Sequence, residues 1–187
     1  MSANHPGHIR NLFYSLHCKF NSINILLFYL DNLSKDQEEN LKDFWISIIN
    51  KILSENKISL ESIFDSTDGK ELFYMFANDN PDVILLRRLR ARKWNVNLAL
   101  DQFIQTLKWR YQYGVTRLVA DGEHEIYHEE LLTGKTSYIG YDKVGRPIVY
   151  ISVKDHIKGQ FPLESTEKLS VLSMEIEKNY YTIPLNL

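Results

Sequence analysis

Cysteine is almost absent. Cys18 is the only one in 187 residues, so no intrachain disulfide can form and no Cys-x-x-Cys zinc module exists; a reducing compartment is the expectation. Long apolar runs are missing too. The longest, Ile25 to Leu30, falls far short of the ~20 residues a helix needs to cross a bilayer. There is no excess of charge of one sign. Twenty-two Lys+Arg against 24 Asp+Glu leave a net charge of −2, which gives no global reason for a nucleic-acid or anionic-membrane partner. Any cationic function must come from a local cluster. The first thirty residues lack Asp and Glu and hold only Arg10 and Lys19 as strong bases. No small-residue cleavage site follows the apolar run, so the expectation is an N-terminal extension rather than a targeting peptide, and residues 1–33 stay unassigned.

What is present is the makeup of a folded protein. At 44% hydrophobic and 25% charged, the chain can bury a core and is not broadly disordered. Order is expected to begin at Ser34, whose spacing to Gln37 fits a capping box. Leu41, Phe44, Trp45, Ile48, Ile49, Ile52 and Leu53 follow at offsets of three and four and form one apolar helical stripe. Ser66-Thr67-Asp68-Gly69 reads as a turn before a short helix over Glu71 to Phe76. Asn80-Pro81 supplies an N-cap and a proline at the first helical position, for a helix through Leu85, Leu86 and Leu89 to about Lys93. Asn95 can cap the next, with Val96, Ala99, Leu100, Phe103, Ile104, Leu107 and Tyr111 inward and Gly114 at its end.

Four helices with short connections predict a compact bundle over residues 34–115. The pattern then changes. Ser137 to Tyr141 and Pro147 to Val153 read as strands around the turn Asp142-Lys143-Val144-Gly145. A last amphipathic helix is expected over Ser165 to Tyr181, with Leu169, Leu172, Ile176 and Tyr180 inward. The predicted fold class is therefore α + α/β: a helical bundle followed by the first hairpin and helix of an α/β domain.

Three motifs invite chemistry. Arg87, Arg88, Arg90, Arg92 and Lys93 place five cations in seven residues. Planar guanidinium forks and a mobile ammonium suit phosphate oxygens, whereas the plain alternative is a solvated, salt-bridged helix. The cluster is short and no recognition-helix pattern accompanies it, so nucleic acid is not the expected partner. His124-Glu125-Ile126-Tyr127-His128 spells HExxH, which on one helix would set two imidazoles on a common face for zinc, with Glu125 as general base. The segment is short, and Leu131 stands where the extended pattern needs glycine, so a zinc hydrolase is the remote reading and no metal is expected. Gly134-Lys135-Thr136 resembles the tail of a phosphate loop, but Glu129 replaces the earlier glycine. Asn32-Leu33-Ser34 is a glycosylation sequon only in a secreted chain.

The run PDVILLRRLRARKWNVNLALDQFIQTLKWRYQYGV, Pro81 to Val115, resembles the N-terminal domain of the CRAL-TRIO family: a leucine-arginine helix, an L-R-A-R-K turn, an aromatic residue, and a helix ending in W-R. LSKDQEENLKDFW, before it, is similar to that domain's first helix. YDKVGRPIVYISVKDH, after it, resembles the opening hairpin of the family's lipid-binding domain. With GEHEIYHEELL, the likeness is to fungal phosphatidylinositol-transfer proteins and covers about residues 34–182.

The resemblance implies a non-enzymatic function: binding a phospholipid, phosphatidylinositol in the first place, and exchanging it between membranes. It implies a cytoplasmic, monomeric protein that meets membranes transiently, with the phospholipid as ligand and no cofactor. It carries Arg92 and Lys93 over as contacts to the inositol phosphate, since a phosphodiester entering a low-dielectric pocket needs cationic hydrogen-bond donors. Tyr138 and Asp142 fall near the headgroup end of the pocket. Arg87 and Arg90 read as structural, and Arg88 departs from the pattern, which has an aromatic or apolar residue there. A second family tyrosine is also missing: Val149 holds its position and Tyr150 comes one residue later, on the opposite strand face.

On this likeness residues 34–115 form the helical domain and residues 116–187 the start of an incomplete lipid-binding domain. Two strands and a helix cannot enclose acyl chains, whose shielding contributes ~0.8 kcal/mol per methylene. A truncated form with little transfer activity is thus the expectation. The alternative is a non-catalytic helical module that docks on a protein or membrane without carrying lipid.

Overall fold

A computed structural model of the chain describes residues 33–76, 80–143 and 147–180. The elements run α1 (Lys35–Asn56), a 3-10 turn (Leu60–Asp65), α2 (Thr67–Phe76), α3 (Pro81–Ala91), α4 (Val96–Tyr113), α5 (Val115–Asp121), a second 3-10 turn (Gly122–Glu125) and α6 (His128–Leu132). Strands β1 (Thr136–Tyr141) and β2 (Pro147–Ile151), a third 3-10 turn (Val153–Asp155) and α7 (Leu163–Tyr180) complete it. The chain divides into two compact units, Met1–Tyr111 and Gln112–Leu187. The class expected from the sequence, helices followed by a small α/β portion, is the one observed.

In the first unit α1 starts as its sequence requires. The Ser34 side chain accepts from the Gln37 amide at 3.3 Å, and the Gln37 side chain accepts from the Ser34 amide at 3.1 Å, so two otherwise unpaired donors are satisfied reciprocally. The stripe predicted for this helix is the one buried: Leu41, Phe44, Trp45, Ile48, Ile49 and Ile52 enter the core, with Leu53 packed against it. Opposite them lie Leu72 and Phe76 of α2, Leu85, Leu86 and Leu89 of α3, and Phe103 and Leu107 of α4. Phe44 and Phe103 meet edge to face at 5.7 Å, a favoured aromatic geometry. Each such side chain contributes roughly 1.5–3 kcal/mol of burial.

Two buried polar contacts fix how the helices meet. The Trp45 indole donates to the fully buried Asp82 carboxylate at 2.7 Å, joining α1 to the first turn of α3. Arg110 of α4 pairs with Glu71 of α2 at 3.5 Å, both more than nine-tenths buried. Arg110 therefore takes an inward position in the last turn of α4, where the stripe had predicted Tyr111. Tyr111 is 59% exposed: the helical phase favours residue 110, and a neutralised guanidinium can be buried where pairing is available.

Helix α2 begins at Thr67 rather than Glu71. The residues read as a turn are its first turn, because the Ser66 hydroxyl accepts from the Gly69 amide at 3.0 Å. Gly69 belongs there on space alone, since a Cβ would stand 1.9 Å from the Ile63 carbonyl oxygen. Asn80 caps α3 through the Asp82 amide at 2.9 Å, with Pro81 at the first helical position.

The second unit has a smaller core of Leu118, Ile126 and Leu172, with Tyr113, Leu131, Leu169 and Val171 packed on it. Gly114, at φ 76°, separates α4 from α5, as the sequence suggested. Helix α7 starts at Leu163, two residues earlier than expected. Ile176, expected inward, is 41% exposed; among the described residues α5, the second 3-10 turn and α6 pack beside α7 and cover its apolar stripe along part of its length. The side chain of Tyr180 and the residue Tyr181 lie outside the described ones.

The strands pair antiparallel with Tyr138 opposite Val149 and Ser137 opposite Tyr150. Ile139 makes a bulge between Tyr138 and Gly140, and Gly140 takes φ 122°, a conformation L-residues rarely adopt. Strand β1 begins one residue earlier than expected and β2 ends two residues sooner, at Ile151. Val144, Gly145 and Arg146 of the connecting turn lie outside the described residues.

Candidate functional site

The basic turn is built by a helix ending. Helix α3 stops at Ala91, not Lys93, because the next residues close back on it. The Lys93 amide donates to the Arg90 carbonyl at 3.1 Å and the Trp94 amide to the Leu89 carbonyl at 2.8 Å. This is the Schellman pair of bonds, which satisfies carbonyls left over at a helix C-terminus. The motif calls for a left-handed residue, usually glycine. Here Lys93 adopts φ 51° and Trp94 φ 64°. Left-handed backbone costs an L-residue about 1–2 kcal/mol, so the segment needs an anchor. Trp94 packs against the core, and Asn95 then caps α4 by accepting from the Leu98 amide at 3.0 Å.

The result is a rigid corner that carries Arg92, half-buried, and Lys93, exposed, next to each other. Neither forms an ion pair with another described residue. Arg88 lies one turn earlier, also half-buried. Burial, and then the fields of Arg87, Arg92 and Arg110, pull its pKa below the ordinary guanidinium value. Sequence reasoning set Arg88 aside as a departure from pattern; the signal for it was that departure.

Tyr138 and Asp142 belong to the second unit, at the β1 end of the hairpin. Tyr138 is half-buried and meets Tyr141 edge to face at 5.6 Å. Its cross-strand partner Val149 is half-buried, whereas Tyr150 is 51% exposed. The one-residue offset noted in the sequence thus turns Tyr150 away from the Tyr138 face. Asp142 is half-buried immediately after β1. The four candidate residues form two pairs, one in each compact unit.

HExxH does not occupy one helix. His124 sits in the 3-10 turn, Ile126 is extended, and His128 opens α6, so the common face that zinc binding requires is not formed. The His124 side chain is 83% exposed. Glu125 is committed elsewhere, to Arg117 at 2.7 Å and Lys168 at 3.2 Å. The hydrogen bond from Lys168 holds its carboxyl below the usual range, burial opposes this, and Arg117 adds to the lowering. Among the described residues no three His, Cys, Asp or Glu side chains are grouped to hold a metal.

Sequence reasoning missed a buried polar cluster in the second unit. The fully buried Glu130 carboxylate accepts from Lys135 at 2.5 Å, from Thr166 at 2.6 Å and from Ser165. Ser165 in turn accepts from the Tyr127 amide at 3.1 Å. Burial alone would raise the Glu130 pKa; the bonds from Lys135, Ser165 and Thr166 outweigh it and hold the carboxyl below its ordinary value. The cluster ties α6 and the start of β1 to α7. Its α7 partners Ser165 and Thr166 lie 35 and 36 residues beyond Glu130, and no short motif announces it.

Comparison with known proteins adds sequence likenesses to this geometry. Residues 29–105 match the family model described as "CRAL/TRIO, N-terminal domain". A CRAL-TRIO domain-containing protein of Schizosaccharomyces pombe is 41% identical over 102 residues, 52% of this chain and 23% of that protein. A phosphatidylinositol transfer protein of Eremothecium gossypii is 32% identical over 124 residues, 62% of this chain and 28% of that one. A phosphatidylinositol/phosphatidylcholine transfer protein of Arabidopsis thaliana is 36% identical over 83 residues, 44% and 15% respectively. The matched segments thus span less than a third of these relatives' lengths. No solved structure gives a significant match. No helix among the described residues is long and apolar enough to cross a membrane.

Proposed function

From the match of residues 29–105 to the CRAL/TRIO N-terminal domain model, we propose that the function this chain belongs to is phospholipid binding and transfer between membranes, with phosphatidylinositol as the cargo and no catalysis, and that residues 1–187 alone transfer little. Residues 34–115 are the helical domain and residues 116–187 the beginning of the lipid-binding domain. The protein works as a cytoplasmic monomer that meets membranes transiently and has no nucleic-acid partner.

One observation carries the reading. Arg92 and Lys93 stand on a corner closed by the Schellman bonds of Lys93 and Trp94, and no described carboxylate pairs with either cation. Such donors are set in place before a ligand arrives, so less conformational entropy is lost on binding. A phosphodiester gains charge-assisted hydrogen bonds from them. Tyr138 and Asp142 are proposed, separately, as headgroup contacts of the second unit.

The relatives' printed names, phosphatidylinositol transfer protein and phosphatidylinositol/phosphatidylcholine transfer protein, support this cargo class. The bulk charge of −2 is consistent with specific headgroup contact rather than broad attraction to anionic surfaces.

The test is the double variant Arg92→Ala, Lys93→Ala. Phosphatidylinositol binding should fall about tenfold or more, as expected for losing hydrogen bonds to a charged group. Phosphatidylcholine handling should change much less. Equal loss for both lipids, at an unchanged unfolding midpoint, would overturn the headgroup role.

A further inference from the structure

We propose that the connection between β2 and α7, residues 152–163, is a membrane-contacting element: its apolar tips Val153, Ile157 and Leu163 enter the interface of a bilayer while Lys154 and Lys158 stay at headgroup level. This names the surface that makes the transient membrane contact proposed above, and it rests on that reading.

The connection is held in place by the buried Glu130–Lys135 pair. After β2 the Ser152 amide donates to the Lys135 carbonyl at 2.7 Å. Further on, the Phe161 ring lies 5.7 Å from the Lys135 ammonium. In the first turn of α7 the Ser165 hydroxyl donates to the Glu130 carboxylate. Between these anchors the backbone makes two tight turns. The His156 amide donates to the Val153 carbonyl and the Gln160 amide to the Ile157 carbonyl, each at 3.1 Å, with Gly159 at φ 79°. A loop tied this way to a buried cluster presents its tips with less conformational entropy left to lose on binding.

The tips are apolar and point outward. Val153 is 77% exposed, Ile157 62% and Leu163 72%. The core of this unit, Leu118, Ile126 and Leu172, uses none of them.

Composition then selects the partner. The exposed side chains of the connection include no Trp, Tyr or Arg, the anchors that dominate protein interfaces. Lysine, depleted at such interfaces, occurs twice. Aliphatic groups interleaved with lysine suit a lipid interface instead. The aliphatic groups leave water for the acyl boundary, and each lysine lays its stem along apolar surface with its ammonium among the headgroups. Lys154 and Lys158 are exposed and form no ion pair with a described residue. The neighbouring acids are engaged: Asp155 accepts from the Ser152 hydroxyl at 2.5 Å, and Glu164 pairs with Lys168 at 2.7 Å.

The experiment uses the full 187-residue chain. Co-sedimentation is measured with phosphatidylcholine vesicles, plain or holding phosphatidylserine, and binding of a dispersed short-chain phosphatidylinositol is measured separately. The triple variant Val153→Ser, Ile157→Ser, Leu163→Ser should bind both kinds of vesicle about tenfold more weakly or less. Its unfolding midpoint and its binding of the dispersed lipid should match wild type, because the three side chains are exposed. Lys154→Gln with Lys158→Gln should weaken binding to the phosphatidylserine vesicles on the order of fivefold per lysine and leave plain vesicles unaffected. In a Cys18→Ser background, an environment-sensitive dye on Ile157→Cys should shift to shorter wavelength on vesicles. The same dye on Ala120→Cys, exposed on α5, should not shift. The dye keeps the test decisive if the serine variant unfolds.

Vesicle binding unchanged in the serine variant, or no shift at residue 157 while the chain sediments with vesicles, would overturn the inference and leave the lipid reading in place. So would binding of the dispersed lipid by a wild type that sediments with neither kind of vesicle. Wild-type dimers in sedimentation velocity that the serine variant abolishes would assign the tips to a second copy and overturn the membrane contact. Loop-dependent vesicle binding without binding of the dispersed inositol lipid would support the membrane contact and sink the phosphatidylinositol cargo instead.

Discussion

Replacing Lys93 with glycine separates the two roles of the basic corner, because backbone and side chain pull in opposite directions there. At φ 51° Lys93 occupies the glycine position of a Schellman motif. Relief of its left-handed strain is worth about 1–2 kcal/mol. The extra freedom of glycine in the unfolded chain takes back about 0.4–1 kcal/mol. The Lys93→Gly variant should therefore be more stable than wild type by roughly 0.5–1 kcal/mol, a rise of several degrees in melting temperature for a unit of this size. Lys93→Ala removes the same charge but keeps the strain, and should melt near wild type. In vesicle binding the two variants should lose the same share of the phosphatidylinositol preference. Trp45 is buried in the core of this unit, so tryptophan fluorescence in urea follows its unfolding. A glycine variant that melts below the alanine variant would refute the cap geometry, and one that keeps full lipid preference would refute the use of the charge.

Two further outcomes follow from packing and from protonation. Gly69→Ala should lower the stability of the first unit by about 2 kcal/mol or more, since the new Cβ would stand 1.9 Å from the Ile63 carbonyl oxygen and backbone must move; a urea midpoint equal to wild type would contradict the contact. In the second unit Glu130 has its pKa held low in the folded state, so its contribution is fully present above the ordinary glutamate value near 4.3. That contribution is lost as pH falls from there through the folded value. Hydrogen-exchange protection factors across residues 127–143 and 147–151 should fall below about pH 4, and Glu130→Gln should show the reduced protection already at neutral pH, because it strands Lys135.

Much of the first unit was legible because local rules and tertiary structure agree there. Ser34, Asn80 and Pro81 cap the helices their residue types predict, and the α1 stripe faces the core as its spacing requires. Errors occurred where a tertiary contact outweighed a local preference. Thr67-Asp68-Gly69 has turn chemistry, yet the Ser66 cap and the space beside Ile63 draw it into α2. Arg110 is polar by type, yet Glu71, thirty-nine positions earlier in the chain, makes its burial favourable. No window of a dozen residues contains that partner.

The candidate site was legible for a different reason, and incompletely. L-R-A-R-K stands out through its density of cations, but density does not say which of five can meet a ligand. That selection is made by backbone. Ending α3 at Ala91 places Arg92 at the cap and Lys93 in left-handed geometry, while Arg88 stays on the helix one turn back. A lysine in a glycine position and an arginine half-buried among cations both break local rules; the first is offset by the Schellman bonds and by Trp94 packing, the second by no ion pair among the described residues. Costs of that kind concentrate where a protein binds something. If an anionic headgroup supplies the missing counter-charge, the electrostatic cost at Arg88 should diminish when it binds, while the backbone strain at Lys93 stays. Ligand should then stabilise the wild-type first unit more than it stabilises the Lys93→Gly or Arg88→Leu variants, because linkage rewards only what binding changes.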